Sequence, residues 1–159
     1  MASPLSTRPA DEPSHRLQSE GEKVAAAVDL LVGVPVTVVI AHAASQTTDG
    51  MDITITVKDA NGETVAGVHN LEMWMSESTA GAGLTGDTYS GDLTAGTGAI
   101  IGALTAKKAW IIQTAATGIF VATLVASANP TDQYVCVRKP LASAPVVSEA
   151  SGNHWEGAA

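Results

Sequence analysis

Residues 53–75, ITITVKDANGETVAGVHNLEMWM, constrain the fold of this chain more than any other segment. Isoleucine and valine alternate with threonine and lysine over residues 53–58, which is the period of two of a half-buried β-strand. Residues 59–62, DANG, supply turn chemistry, because Asp and Asn side chains bond nearby backbone and Gly accepts a positive φ. A second alternation over residues 69–76 puts Trp74 on its polar face. The segment predicts two strands whose pairing is set locally by the turn.

The composition favours a β-protein and argues against a nucleic-acid partner. The chain has 159 residues, and a compact chain of that size buries about 68–70% of its unfolded surface. Only 4% of the residues are aromatic, while alanine, valine, threonine and glycine dominate. The formal net charge is −8, and Lys107-Lys108 and Arg138-Lys139 are only isolated basic pairs, whereas binding to phosphates needs a clustered basic surface.

An apolar stretch over residues 24–44 allows two interpretations. It ends in the small-x-small pattern AHA, which a secretory signal has before its cleavage site. However, Asp29 and Pro35 interrupt the stretch, and the acidic residues before it leave no positively charged n-region. The same interruptions disfavour a membrane-spanning helix, which needs about 20 predominantly apolar residues. We favour a short helix over residues 20–32, a strand over residues 34–41 and no membrane partner.

The rest of the chain predicts further strands and a loose end. A glycine-rich connection over residues 76–98 precedes them, and turn residues between them favour two hairpins. The predicted strands cover residues 99–104, 109–114, 119–125 and 133–139. About seven short strands favour an all-β, antiparallel sandwich. The expected organisation is an N-terminal arm with the short helix and first strand over residues 1–50, the sandwich over residues 51–139 and an extended C-terminal tail over residues 140–159.

No pattern in the sequence predicts chemistry. The four histidines have neither HExxH spacing nor a partner cysteine at zinc-site spacing. There is no GxSxG elbow and no GxxxxGK[ST] phosphate loop. Asp87 and Asp92 do not have the alternate spacing of a calcium-binding EF-hand. Cys136, the single cysteine, is interpreted as a small buried hydrophobe. We therefore predict a protein that is not an enzyme, with no catalytic residue, no metal ligand and no cofactor.

Several segments resemble known domains. The segment ITVKDANGETVAG, followed downstream by QTAATGIFVATLVAS and QYVCVR, resembles bacterial and phage immunoglobulin-like domains of the invasin/intimin type. With LTAKKAWIIQT, the combination looks like small structural proteins of tailed-bacteriophage virions. The resemblance covers about residues 51–139. It implies an immunoglobulin-like sandwich and a virion structural protein, either a head decoration protein or a capsid-stabilising subunit, made in the host cytoplasm and located on the capsid surface.

The same resemblance implies partners and contact residues. The expected partners are the major capsid protein and sister subunits in a homo-oligomer, and a trimer would match the threefold sites that capsids offer. The hypothesis assigns these contacts to five apolar residues of the two chain ends, for which packing on their own domain is the open alternative. They are Val24, Val28, Leu30, Leu31 and Trp155.

A second function fits the same fold. An exported bacterial immunoglobulin-like module for adhesion or glycan binding would present Trp74, Tyr89 and Trp110 as an exposed aromatic platform. Aromatic side chains more often fill a core.

Overall fold

The computed structural model describes residues 33–46, 49–87, 89–126, 130, 132–139, 144–152 and 155. These residues form an all-β structure of two antiparallel sheets that face each other across one hydrophobic core, as in a β-sandwich. Its nine strands are β1 (Thr37–Ala44), β2 (Gly50–Lys58), β3 (Asn70–Ser76), β4 (Thr94–Thr97), β5 (Ala99–Thr105), β6 (Ala109–Gln113), β7 (Ile119–Val125), β8 (Tyr134–Arg138) and β9 (Val146–Ala150).

The first sheet has the strand order β1-β2-β7-β4. The predicted alternation in β2 is confirmed, because Ile53, Ile55 and Val57 are fully buried and the threonines between them are only half-buried. Val38 of β1 pairs with Val57, and Phe120 of β7 pairs with Ile55, so one face of the sheet is continuously apolar. The predicted first strand lies a few residues later than expected, over Thr37–Ala44.

The second sheet has the order β5-β6-β3-β8-β9. Leu71, Met73 and Met75 of the central strand β3 are buried, as its alternation predicts. The hairpin of β5 and β6 is also confirmed. Its turn contains Lys107, whose φ of 60° is a left-handed conformation.

Two predicted strand pairings are wrong. The turn at Asp59 is closed by a short bridge between Lys58 and Thr64, and β2 and β3 belong to opposite sheets because the chain crosses between them near Gly67. The strands β6 and β7 likewise belong to opposite sheets and do not form the second predicted hairpin. Gly118 between them does have the positive φ that its position in the turn predicts, at 76°. Alternation predicts which residues are buried, but it does not predict which sheet a strand joins.

Aromatic and long aliphatic side chains fill the space between the sheets. The largest fully buried side chains are Trp110, Trp155, Tyr89, Phe120, Met51, Ile53, Ile55, Leu71, Met73, Met75, Ile112 and Leu124. The glycine-rich connection takes part in this core through Tyr89 and Leu93.

The C-terminal region differs from the extended tail that the sequence predicts. Val146–Ala150 form β9, which pairs with β8 and extends the second sheet to five strands. Trp155 follows and is buried in the core. The apolar residues of this region are too few to give a periodic pattern, so the sequence alone does not predict the strand. The predicted helix over residues 20–32 lies outside the described residues.

Candidate functional site

The predicted contact residues fall into two groups. Val24, Val28, Leu30 and Leu31 lie outside the described residues. Trp155 is 0% exposed, its ring lies 5.6 Å from that of Tyr89, and its indole N–H donates a hydrogen bond to the Ser151 hydroxyl at 3.0 Å. The structure therefore places Trp155 in the core of its own domain and not on a surface that another subunit could cover.

The point where the N-terminal segment joins the sandwich is held by several hydrogen bonds. The Asp59 carboxylate accepts hydrogen bonds from the amides of Gly33 at 3.0 Å, Asn61 at 2.9 Å and Glu63 at 3.0 Å. The hydrogen bond from the Gly33 amide is the main cause that lowers the pKa of Asp59, with the turn amides adding to it.

Two more contacts follow along the chain. The Val36 amide donates to the Lys58 carbonyl at 2.9 Å, and the Lys139 ammonium donates to the Pro35 carbonyl. We call residues 33–36 with Asp59 the N-terminal anchor. It fixes the backbone of residues 33–36 against the end of β2 and against Lys139.

A groove of about 390 Å³ crosses the outer face of the second sheet. Its lining is mostly apolar and includes two exposed leucines, Leu84 from the connection after β3 and Leu104 from β5. Glu72, Trp74, Ala109 and Arg138 also line it. Its volume is at the small end of the roughly 300–1,000 Å³ of ligand sites.

One wall of the groove is tied to the sheet. The Trp74 indole N–H donates to the Gly81 carbonyl at 3.1 Å, and the Ser76 hydroxyl donates to the Ala82 carbonyl at 3.2 Å. The Lys108 ammonium donates to the Thr85 carbonyl at 2.8 Å. Three different side chains therefore hold this wall against the second sheet.

A charged pair forms part of the groove lining. The Arg138 guanidinium donates to one oxygen of Glu72 through Nε at 2.9 Å and Nη2 at 2.5 Å, and lies 5.5 Å from the centre of the Trp74 ring. The pair is partly exposed, so its contribution to stability is only about 0–1 kcal/mol. The sequence predicts that these side chains lie on the outer faces of β3 and β8, but only the register Glu72 to Arg138 brings them together.

A second polar cluster is buried and structural. The Tyr89 hydroxyl donates to Gln133 Oε1 at 3.2 Å, and the Gln133 amide donates to Asp87 at 2.9 Å. Burial raises the pKa of Tyr89, so its hydroxyl stays neutral and acts as a donor. Within the described part of the chain, no buried side-chain nitrogen or oxygen lacks a hydrogen-bond partner.

The predicted aromatic platform is wrong for two of its three members. Trp110 and Tyr89 are each 1% exposed, and Trp74 alone reaches the surface, with Arg138 over its ring. Cys136 is buried, as expected, and burial raises its pKa to about 11. Among the described residues, no group of three or more His, Cys, Asp and Glu side chains is placed to hold a metal ion.

The comparisons with known proteins add no relative. No protein-family model, no curated protein and no solved structure matches this chain. In the described ranges, no helix has the length and apolar character needed to cross a membrane.

Proposed function

We propose that this protein is a structural subunit of a tailed-bacteriophage virion, a head decoration or capsid-stabilising protein on the capsid surface. It binds the major capsid protein and sister subunits by surface contact and carries out no chemical step. The sequence resemblance over residues 51–139 suggests the virion as the location of the protein. The described sandwich has one hydrophobic core and no buried side-chain nitrogen or oxygen without a hydrogen-bond partner, which supports a role as a rigid body.

The N-terminal anchor is the observation that carries the proposal. A segment that binds a neighbouring subunit holds its own domain in place there only if the residues that join the segment to the domain, its root, are fixed. The Asp59 carboxylate, the Lys58 carbonyl and the Lys139 ammonium fix that root by hydrogen bonds to backbone atoms of residues 33–36. Residues 1–32 precede the anchor, and an extended chain of that length spans at most about 115 Å, enough to reach an adjacent subunit.

We also propose that the sandwich is immunoglobulin-like. The strand orders β1-β2-β7-β4 and β5-β6-β3-β8-β9 support this, since variable-type domains place strands A-B-E-D in one sheet and C″-C′-C-F-G in the other. The order along the chain departs from that pattern. Strand β4, at the D position, precedes β5 and β6, which occupy the C″ and C′ positions.

Binding to phage heads tests the proposal. Full-length protein is mixed with purified heads that lack it, and the bound fraction is measured by co-sedimentation. Asp substitutions at Val24, Val28 and Leu31 place three carboxylates on the predicted contact face of the segment, and we expect them to reduce the bound fraction at least tenfold.

A charge-matched control separates this face from general repulsion. Lys23→Asp with Ala26→Asp changes the net charge by the same amount but lies off the predicted apolar face. We expect this control to bind like the unmodified protein. Equal binding by all three proteins would remove the N-terminal segment from the mechanism, and absence of binding by the unmodified protein would reject the proposed function itself.

A further inference from the structure

The turn after β2 contains a chemically reactive pair of residues. Asn61-Gly62 is the one place in the sequence where an asparagine precedes a glycine. The backbone nitrogen of a residue that follows asparagine can attack the asparagine side-chain carbonyl, and the side chain of the following residue normally hinders this approach. Glycine has no Cβ and therefore hinders it least. The pair has the sequence chemistry of a deamidation site.

The fold leaves this pair accessible. Asn61 and Gly62 are both exposed, and apart from the two chain neighbours of Gly62 no heavy atom lies within 4 Å of the position that a Cβ would take there. Within the described residues, no hydrogen bond holds the side chain of Asn61. The Gly62 N–H donates to the Asp59 carbonyl at 3.2 Å, which is at the long end of the normal range. The attacking nitrogen, the side-chain carbonyl and water therefore have access to one another.

Deamidation at this pair balances without an oxidant or a reductant. The Gly62 nitrogen loses its proton and bonds to the side-chain carbonyl carbon of Asn61. The bond from that carbon to the side-chain nitrogen breaks, and the nitrogen leaves as ammonia with the proton. Water then opens the resulting cyclic succinimide at either carbonyl carbon. One opening gives aspartate, and the other gives isoaspartate, in which the main chain runs through the side-chain methylene group. Both products carry one carboxylate more than asparagine.

The reactive turn and the N-terminal anchor share the carboxylate of Asp59. Its Oδ1 accepts the amides of Asn61 at 2.9 Å and Glu63 at 3.0 Å, while its Oδ2 accepts the amide of Gly33 at 3.0 Å. Isoaspartate lengthens the main chain between the amides of residues 61 and 63, so that one oxygen no longer fits both. The new carboxylate also lies two residues from Asp59 and repels its negative charge. A change at residue 61 therefore displaces the group that holds Gly33.

We propose that Asn61-Gly62 is a self-modification site and that deamidation of Asn61 to isoaspartate releases the N-terminal anchor. The hydrogen bond from Gly33 to Asp59 breaks, and the root at residues 33–36 loosens as the protein ages. Strand β2 keeps its place, because the Val57 amide donates to the Gly118 carbonyl at 3.0 Å, outside the turn. This inference rests on the contacts of the anchor and not on the proposed virion role.

Peptide mapping by mass spectrometry tests the reaction. Full-length folded protein is incubated in mildly alkaline buffer, and the aspartate and isoaspartate fractions at residues 61 and 70 are followed over time. Asn70 is the internal control, because it is also exposed but precedes Leu71, and its side chain accepts a hydrogen bond from Gln113 at 2.9 Å. We expect Asn61 to react at least tenfold faster than Asn70. Equal rates at the two positions would overturn the site.

Amide hydrogen exchange tests the release of the anchor. The isoaspartate form is purified from the incubated protein and compared with the unmodified form. We expect the Gly33 amide to exchange at least tenfold faster in the isoaspartate form and the Val57 amide to exchange at the same rate in both forms. Unchanged exchange at Gly33, or equal acceleration at Gly33 and Val57, would overturn the proposal.

Asn61→Gln is the matched variant. It keeps the side-chain amide and the net charge, but its longer side chain closes a ring much more slowly. After the same incubation, we expect its Gly33 amide to exchange at the rate of the fresh protein. If Gly33 in Asn61→Gln loses protection with age as it does in the unmodified protein, modification of residue 61 is not the cause and the proposal is overturned.

Discussion

The carboxylate of Asp59 accepts a hydrogen bond from the backbone amide of Gly33 at 3.0 Å and thereby holds the chain where it enters the first sheet. The same carboxylate organises the turn after β2 through the amides of Asn61 and Glu63. One buried side chain therefore couples the DANG turn, which the sequence predicts, to the root of the N-terminal segment, which the sequence does not place.

The first prediction concerns the pH dependence of this contact. Because the pKa of Asp59 is lowered in the folded protein from 3.8, its ionised form stabilises the fold above pH 3.8, and this contribution is lost as the pH falls through the lowered pKa. Asp59→Asn should be less stable than the unmodified protein at pH 7 in urea unfolding, and the difference should shrink below pH 3.8.

Asp132→Asn is the control for this substitution. Asp132 is exposed and already has a φ of 56°, a conformation that asparagine accepts. The free energy of unfolding of Asp132→Asn should equal that of the unmodified protein both at pH 7 and below pH 3.8. A constant difference between Asp59→Asn and the unmodified protein from pH 7 to pH 2.5 would contradict the assigned role of the carboxylate.

The second prediction concerns Trp155. Its ring is fully buried against Tyr89, so Trp155→Ala should lower the free energy of unfolding by about 3–5 kcal/mol. Urea unfolding followed by near-UV circular dichroism measures the change. Val68→Ala, at a residue that is 59% exposed, should change the stability by less than about 0.5 kcal/mol. A loss below about 1 kcal/mol for Trp155→Ala would show that the C-terminal residues are not part of the core.

The sequence predicts the burial pattern better than the arrangement of strands. The alternation in β2 and β3 correctly places Ile55 and Met73 on the buried face and their polar neighbours on the other face. This pattern is well defined, because a shift by one residue would move every side chain of a strand to the opposite face of the sheet. It does not predict that the two strands join different sheets. Trp155 has no apolar neighbours at regular spacing, so its burial depends on long-range packing. The pair Glu72 and Arg138 likewise requires the register between β3 and β8.

The third prediction compares two glycines. Gly118 has a φ of 76°, and a Cβ there would overlap the carbonyl oxygen of Val65. Gly118→Ala should therefore lower the free energy of unfolding by at least about 2 kcal/mol, combining the cost of a left-handed residue with displacement of the Val65 backbone. Gly102 has open space around it and no positive φ, so Gly102→Ala should be neutral or stabilising by up to about 1 kcal/mol. Thermal unfolding measures the change in stability of both variants. Similar changes for Gly118→Ala and Gly102→Ala would contradict the close approach of Gly118 to the Val65 backbone.

The fourth prediction concerns the thiol of Cys136. Burial raises its pKa to about 11, and Gly81 packs directly over its sulfur. Since the thiolate is the reactive form, a chromogenic disulfide reagent at pH 8 should react with the folded protein at least 100-fold more slowly than with the urea-unfolded chain. Gly81→Ala, which crowds the sulfur and strains the loop, should speed the reaction by loosening this cover. Rapid reaction of the unmodified folded protein would show that the connection after β3 does not cover β8.

The proposed virion role is tested by quantitative mass spectrometry of purified virions. We expect this protein in a fixed ratio to the major capsid protein, set by the symmetry sites of the shell, and a β-sandwich on the capsid surface in a cryo-EM map. Virions that lack the protein, or carry it only in traces that vary between preparations, would contradict the claim.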